Sequence, residues 1–222
     1  MPRTVAKSQL NEVFATVAKG LAHANRVELV ELLSQGERDV DSLAQASNMS
    51  VANTSHHLKI LRQCGLIYSR QEGQRVIYFL SDNKVISLMI HLHHVAIKNL
   101  PELNRLLSET LPSNAPLENI AAEKFDELVS SENILIFDLR PQTEYDSGHI
   151  PGAVSATTDS IKDIPDCSDK KMCAVYCRST FCPSPYIAAG ILAEKGYRVF
   201  NLEGGFPAWR LAGNEITVTL KN

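Results

Sequence analysis

Six residues near the middle of the chain, Leu111-Pro112-Ser113-Asn114-Ala115-Pro116, constrain its folding more than any others. Two prolines among small polar neighbours neither continue a helix nor fit inside a sheet, so the stretch reads as a linker. Patterning changes across it. Before it, apolar residues recur three and four apart; after it, short apolar runs of strand length alternate with helical segments. At 222 residues the chain also exceeds the ~100–200 usual for one domain. Two domains are expected, 1–110 and 118–222, with 111–117 joining them.

Charge follows the same division. Residues 1–112 hold 12 Lys/Arg against 10 Asp/Glu, with six of the seven histidines, and residues 113–222 hold 10 against 15, so +2 and −5 make the total of −3. Such asymmetry points to different partners for the halves. An apolar fraction of 44% with 21% charged residues excludes a disordered chain. No apolar run approaches the ~18 residues of a membrane span, and no apolar segment follows Met1-Pro2-Arg3-Thr4-Val5-Ala6-Lys7 as a secretory signal would require. A cytoplasmic protein with no membrane partner is expected. Five cysteines, four of them within sixteen residues, do not form a secreted disulfide framework, which directs attention to thiol chemistry or metal binding.

In the first half, Leu10, Val13, Phe14, Val17 and Ala18 mark one helix face, and Asn25–Leu33 forms a second helix before Gly36. A short helix over Val40–Ala46 begins behind Asp39 or Asp41. The turn Ser47-Asn48-Met49-Ser50 precedes a helix from Val51 to about Gln63, with Thr54, Leu58 and Leu61 inward and Asn53, His56, His57 and Lys59 outward. Leu66–Arg70 and Arg75–Leu80 then flank a Gly-containing turn as a hairpin, and Asn83–Leu107 reads as a long helix kinked or broken at Pro101. Helix, polar turn, polar-faced helix and basic hairpin are the layout of a winged helix-turn-helix, whose outer helix enters a major groove while the hairpin reaches phosphates. Candidate DNA-binding residues are Ser50, Asn53, Ser55, His56, His57 and Lys59 on the helix, with Arg70 and Arg75 on the hairpin.

Val40-Asp41-Ser42-Leu43-Ala44 together with Ser50–Ile67, including Ser55-His56-His57-Leu58-Lys59-Ile60-Leu61 and the following Gly65-Leu66-Ile67, closely resembles the ArsR/SmtB family of bacterial repressors over roughly residues 9–107. The resemblance implies a homodimer paired through its terminal helices on palindromic double-stranded operator DNA. Ligands of the family's metal sensors are largely missing: no Cys-x-Cys lies near Val40, and Asp82 is followed two residues later by Lys84 rather than His. His91 and His94 share a helix face and are the remaining metal candidates; otherwise neither a metal nor a cofactor is expected.

In the second half, Glu118–Val129 reads as a helix, Ile134–Phe137 as a strand ending at Asp138, Lys171–Tyr176 as a strand, Pro185–Lys195 as a helix closed by Gly196, and Val199–Leu202 as a strand before Gly204-Gly205. The alternation predicts a parallel sheet covered on both faces. Ligands of such sheets bind at the carboxyl ends of the strands, where Cys177 stands. Ser184 suits the N-cap and Pro185 the first position of the next helix. A loop curled over that helix start would turn backbone N–H groups inward and, with Arg178, lower the thiol's pKa from ~8.5. Cys167 and Cys173 are assigned no role.

Phe137-Asp138-Leu139-Arg140 through Glu144 and Gly148-His149-Ile150-Pro151-Gly152-Ala153-Val154, then Tyr176-Cys177-Arg178-Ser179, then Leu202-Glu203-Gly204-Gly205-Phe206-Pro207-Ala208-Trp209, resemble the three signatures of a rhodanese domain over about residues 117–218. The whole chain then reads as a mainly-α winged helix-turn-helix followed by an α/β rhodanese-like domain with a central parallel sheet. The resemblance implies sulfane-sulfur transfer through a persulfide on Cys177, with Arg178 and Ser179 in its loop and Asp138, Arg140, Glu144 and His149 as scaffold. Two departures stand out. The usual Gly soon after the nucleophile is absent and the segment before Gly196 is about two residues longer, as in rhodanese-like phosphatases, which keeps a small oxyanion such as arsenate or phosphate open beside a sulfur donor. The other is Cys182, five residues after Cys177, placed to resolve a persulfide. The expected function is a DNA-binding repressor whose second domain is a sulfurtransferase or sulfur sensor; the alternatives are an oxyanion site or a loop that only docks a partner.

Overall fold

The computed structural model describes residues 5–112, 114–130, 134–166 and 171–219. Cys167 and Ser113 lie outside the described residues. The chain divides into two units, 1–86 and 87–222.

Apolar spacing and polar caps build the first unit. Helix α1 (Val5–Leu21) precedes α2 (Ala24–Gln35), whose N-cap His23 accepts from the Asn25 N–H. Strand β1 (Arg38–Asp39) leads into α3 (Val40–Ala46), where Asp39 is the cap: its Oδ1 accepts from the Ser42 N–H at 2.8 Å. After the turn comes α4 (Val51–Gln63), capped by Ser50. Strands β2 (Ile67–Glu72) and β3 (Arg75–Leu80) pair antiparallel in the order β1-β3-β2. The hairpin is longer than its sequence suggests, because Gln71 pairs with Val76 and Glu72 with Arg75, leaving Gly73-Gln74 as a two-residue loop. Leu29, Leu33, Leu43, Leu58, Leu61, Leu66 and Ile67 fill the core.

Helix α5 (Lys84–Asn99) runs across the division, and its Val85 and Ile86 are buried. The long helix expected to Leu107 breaks: Leu100 is extended (φ −114, ψ 97), as the residue before proline prefers, and α6 (Pro101–Thr110) starts anew.

The second unit is a five-stranded parallel sheet of order β4-β8-β7-β5-β6. Its first strand, β4 (Leu117–Ile120), corrects the helix expected from Glu118; only α7 (Ala122–Val129) is helical. Four residues pairing at a sheet edge carry too little periodicity to separate strand from helix. Strand β5 (Leu135–Asp138), helix α8 (Gln142–Ser147), the two-residue β6 (Val154–Ser155) and a 3-10 turn at Ser160–Asp163 follow. Then come β7 (Met172–Tyr176), α9 (Ser184–Glu194), β8 (Arg198–Leu202) and α10 (Gly205–Leu211). Alternate residues divide between two apolar layers. Phe137, Cys173, Val175 and Val199 pack with Ala188 and Leu192, whereas Ile136, Ala174, Tyr176 and Leu202 pack with Phe125, Phe206 and Trp209. Both faces being covered, the central strands are largely apolar, with the buried Asn201 on β8 and Asp138 at the end of β5 as polar exceptions. A winged helix-turn-helix and an α/β unit with a central parallel sheet are thus both present.

Candidate functional site

Strand β7 ends at Tyr176, and Cys177 stands at the carboxyl edge of the sheet with only 4% of its surface exposed. The loop from there to α9 is clamped by the turn after β8. The Phe206 N–H donates to the Cys177 carbonyl at 2.9 Å, and the Gly204 N–H to Thr180 Oγ1 at 3.1 Å. Gly205, at φ +65, permits this approach: a Cβ there would lie 2.4 Å from the Cys177 carbonyl oxygen and 2.8 Å from the Ser179 nitrogen.

Within the loop Cys182 packs against the cluster that contains Cys177, and the two thiols are electrostatically coupled. This overturns the expected low pKa of Cys177. Interaction with Cys182 and then burial push the Cys177 thiol above its ordinary range, and its Sγ–H is directed at the Leu139 carbonyl, 3.7 Å away. Interaction with Cys177 holds Cys182 down to about 6, against the cost of burial and with help from the hydroxyl and N–H of Ser184 and the charge of Arg178. The two thiols titrate as a coupled pair, with Cys177 pushed up and Cys182 pulled down. The loop offers fewer inward N–H groups than expected, because the Phe181 N–H turns to Ser179 Oγ (3.3 Å) and the Cys182 N–H to the Ser179 carbonyl (3.3 Å). Ser184 is the first helical residue rather than the cap; Pro183 occupies the cap and makes no side-chain cap bond.

Arg178 faces away from the role of an anion ligand. Its Nε donates to both oxygens of the buried Glu144 at 2.9 and 3.0 Å, a bidentate pair that fastens the loop to α8. Beneath lies a second pair with both side chains fully buried: Arg140 Nη2 reaches Asp138 Oδ2 at 2.6 Å and the Gly148 carbonyl at 2.6 Å, with the guanidinium 3.7 Å from the centre of the Phe206 ring. His149 stacks on Tyr145 with ring centres 3.8 Å apart. Asp138, Arg140, Glu144 and His149 therefore act as braces, as the resemblance implied. The Glu144–Arg178 pairing, 34 residues apart, left no signal in local spacing.

In the first unit, α4 exposes Asn53, Ser55, His56 and Lys59. Ser50 is exposed, but its hydroxyl caps the helix by accepting from the Asn53 N–H at 3.3 Å. His57 corrects the expected outward set. It is 5% exposed, its ring centre is 4.6 Å from that of His23, and its Nε2 lies 3.3 Å from Asn25 Nδ2. Helical geometry explains this: position 57 is three after Thr54 and four before Leu61, so it belongs to the buried stripe. Burial first, then the charges of His23, Arg26 and His56, lowers its pKa. On the hairpin, Arg75 is widely exposed and lies 3.5 Å from Asp39. Arg70 is held by Glu37 and Glu72, and its cationic form is correspondingly stabilised.

His91 and His94 are exposed with ring centres 6.5 Å apart, and no group of three or more metal-ligating side chains occurs among the described residues. No helix among them is long and apolar enough to cross a membrane.

Comparison with known proteins agrees with both halves. Residues 121–212 match the model of the rhodanese-like domain, and residues 23–69 match that of the bacterial regulatory proteins of the arsR family. The HTH-type transcriptional regulator Rv0324 of Mycobacterium tuberculosis is 31% identical over 208 residues, covering 93% of this chain and 91% of that protein. The cadmium resistance transcriptional regulatory protein CadC of Listeria innocua is 38% identical over 72 residues, 32% of this chain and 60% of that protein. The winged helix-turn-helix domain of Mb0332 from Mycobacterium bovis is 33% identical, with a TM-score of 0.42 over 45% of this chain and 93% of that one.

Proposed function

Because the chain belongs to the ArsR-family transcriptional regulators and carries a rhodanese-like domain, we propose that it is a sulfur-responsive repressor in which Cys177 takes up sulfane sulfur and Cys182 resolves it. Residues 1–110 serve operator binding and homodimerisation, and residues 118–222 serve the thiol chemistry. The observation that supports this reading is geometric: Cys177 is buried at the carboxyl end of β7, and Cys182, five residues on in the same loop, packs against the same apolar cluster.

For a persulfide donor R–S–SH the steps balance. Cys177 passes its proton to the Cys182 thiolate and attacks the outer sulfur of the donor. A Cys177 S–S bond forms, the donor's S–S bond breaks, and the electron pair leaves on R–S⁻. R–S⁻ takes the proton back from Cys182. The Cys182 thiolate then attacks Sγ of Cys177, forming a disulfide and expelling HS⁻. Sulfane sulfur is reduced to sulfide and the two thiols are oxidised. Arg178 held by Glu144, and loop N–H groups turned onto Ser179, favour this reading over an oxyanion site, which would need those donors.

Dimerisation is supported by unpartnered apolar faces: Leu10, Val13, Phe14 and Val17 on α1, and Leu88, Leu92 and Val95 on α5, are all exposed. Operator contact is assigned to Asn53, Ser55, His56 and Lys59, with Arg75 on phosphates.

The test is intact mass with cysteine mapping after exposure to polysulfide, thiosulfate or arsenate in parallel, while the same samples are titrated against a duplex selected by the protein from a random pool. Sulfur on Cys177 or a Cys177–Cys182 bridge, with altered DNA affinity, is the expected result. Unmodified thiols under every sulfur donor would sink it.

A further inference from the structure

The second unit contains a cavity of about 660 Å³ that neither Cys177 nor Cys182 lines. Its walls are apolar: Ile90 and Ile97 from α5, and Ala208 and Leu211 from α10. Phe181 of the thiol loop closes another side, meeting the His93 ring edge-on with centres 5.0 Å apart at 78°. Glu123 at the start of α7 and Glu203 after β8 stand at the exposed rim, and no lysine or arginine lines the space. Neither glutamate forms an ion pair among the described residues.

We propose that this cavity binds an amphipathic organic cation, an amine carried on an aromatic or aliphatic body. The volume falls within the ~300–1,000 Å³ of small-molecule sites, which are largely apolar with a few orienting polar groups. The two carboxylates select the sign of the charge. An anion would be repelled at the rim, where His93 and His94 are the only basic side chains in the lining and no lysine or arginine is present to receive it, whereas an ammonium gains the two carboxylates and the Phe181 ring. The apolar body of the ligand fills the space between α5 and α10.

The occupant would bear on Ser179, Thr180 and Phe181, three of the four residues that separate the two cysteines. The site is nevertheless distinct from the thiol chemistry, and its test does not depend on sulfur transfer. The full-length protein is titrated with 4-phenylbutylamine, 4-phenylbutanol and 4-phenylbutyrate, followed by calorimetry and by the fluorescence of Trp209. That residue is the chain's single tryptophan and is buried beside Ala208 on α10.

The amine is expected to bind at least about tenfold more tightly than the alcohol, and the carboxylate more weakly than either. The double variant Glu123→Gln, Glu203→Gln should lose that preference, bringing the amine to the affinity of the alcohol. Ile97→Trp, which fills the cavity from an α5 position, should abolish binding of all three at an unchanged melting temperature. Absence of amine binding at millimolar concentration, equal binding of the carboxylate, or a preference that survives the double variant would each overturn the assignment.

Discussion

The outer face of α4 and the Cys177–Cys182 loop each lie beside a helix start, but they hold their polar groups in opposite ways. On α4, Asn53, Ser55, His56 and Lys59 are exposed to water. In the loop, Arg178 is bonded to Glu144, the Cys177 thiol to the Leu139 carbonyl, and the Cys177 carbonyl to the Phe206 N–H. A face that leaves its donors to an outside partner is tuned for binding; a loop that satisfies its groups internally is tuned for a fixed geometry around two sulfurs. Substitutions should therefore separate cleanly, costing DNA affinity on α4 and stability or thiol reactivity in the second unit.

The most severe break is expected in the bracing beneath the loop. Asp138→Ala leaves Arg140 buried and unpaired against Phe206, at a cost of about 3–5 kcal/mol. Urea unfolding followed through Trp209 should show the unfolding free energy falling by that amount and the midpoint moving to correspondingly lower urea, with the first unit's helical signal persisting to higher denaturant. A loss below 1 kcal/mol would mean that the pair is not a brace.

The thiols should show the next largest effect. With Cys182 held at about 6, its alkylation by iodoacetamide should be near its plateau at pH 7 and fall away as pH drops through 6. A free thiol, by contrast, has a midpoint of ~8.5. Cys177→Ala removes the neighbour that lowers Cys182, so the midpoint should rise; the rate at pH 7 should drop about twofold if the midpoint reaches 7 and approach about tenfold for each unit beyond 8. Mass mapping of the alkylated peptide checks this; a midpoint that stays near 6 would move the cause to Ser184 and Arg178.

On α4 the corresponding changes act on recognition. Asn53→Ala or His56→Ala should cost ~1–3 kcal/mol on the preferred duplex and relax its sequence, while Arg75→Ala should weaken all duplexes alike and reduce the salt slope by about 1. Neither should move the melting temperature, since these side chains are exposed. Arg70→Ala should do less than Arg75→Ala, because Glu37 and Glu72 already occupy its charge.

These two regions were also unequally legible in the sequence. Spacing of three and four places α2, α3 and α4 within a residue or two of their ends, because each has a local cap or stop. The signatures around Asp138, Cys177 and Gly204-Gly205 locate the loop. What they do not carry is any relation set by the folded sheet: Glu144 reaching Arg178, Gly205 pressed on Cys177, or the coupling of the two thiols that raises Cys177 and lowers Cys182. Strand β4 was hidden for a similar reason, since its four residues are defined by pairing with β8 rather than by their own pattern.

His57 joins the two cases, a residue on the recognition helix held as the loop residues are. Its pKa is lowered by burial and then by His23, Arg26 and His56, so the unfolded chain binds its proton more readily than the folded one. The stability this confers is complete above the unfolded value of about 6.5 and declines as pH falls from there toward the folded value. Acid titration of stability from pH 8 to 5 should therefore show the first unit weakening below about 6.5, in a step that His57→Gln reduces. The glutamine keeps a polar group near Asn25 without a titrating proton, so the variant separates charge from packing. A step of unchanged size in the variant would leave His57 as packing alone.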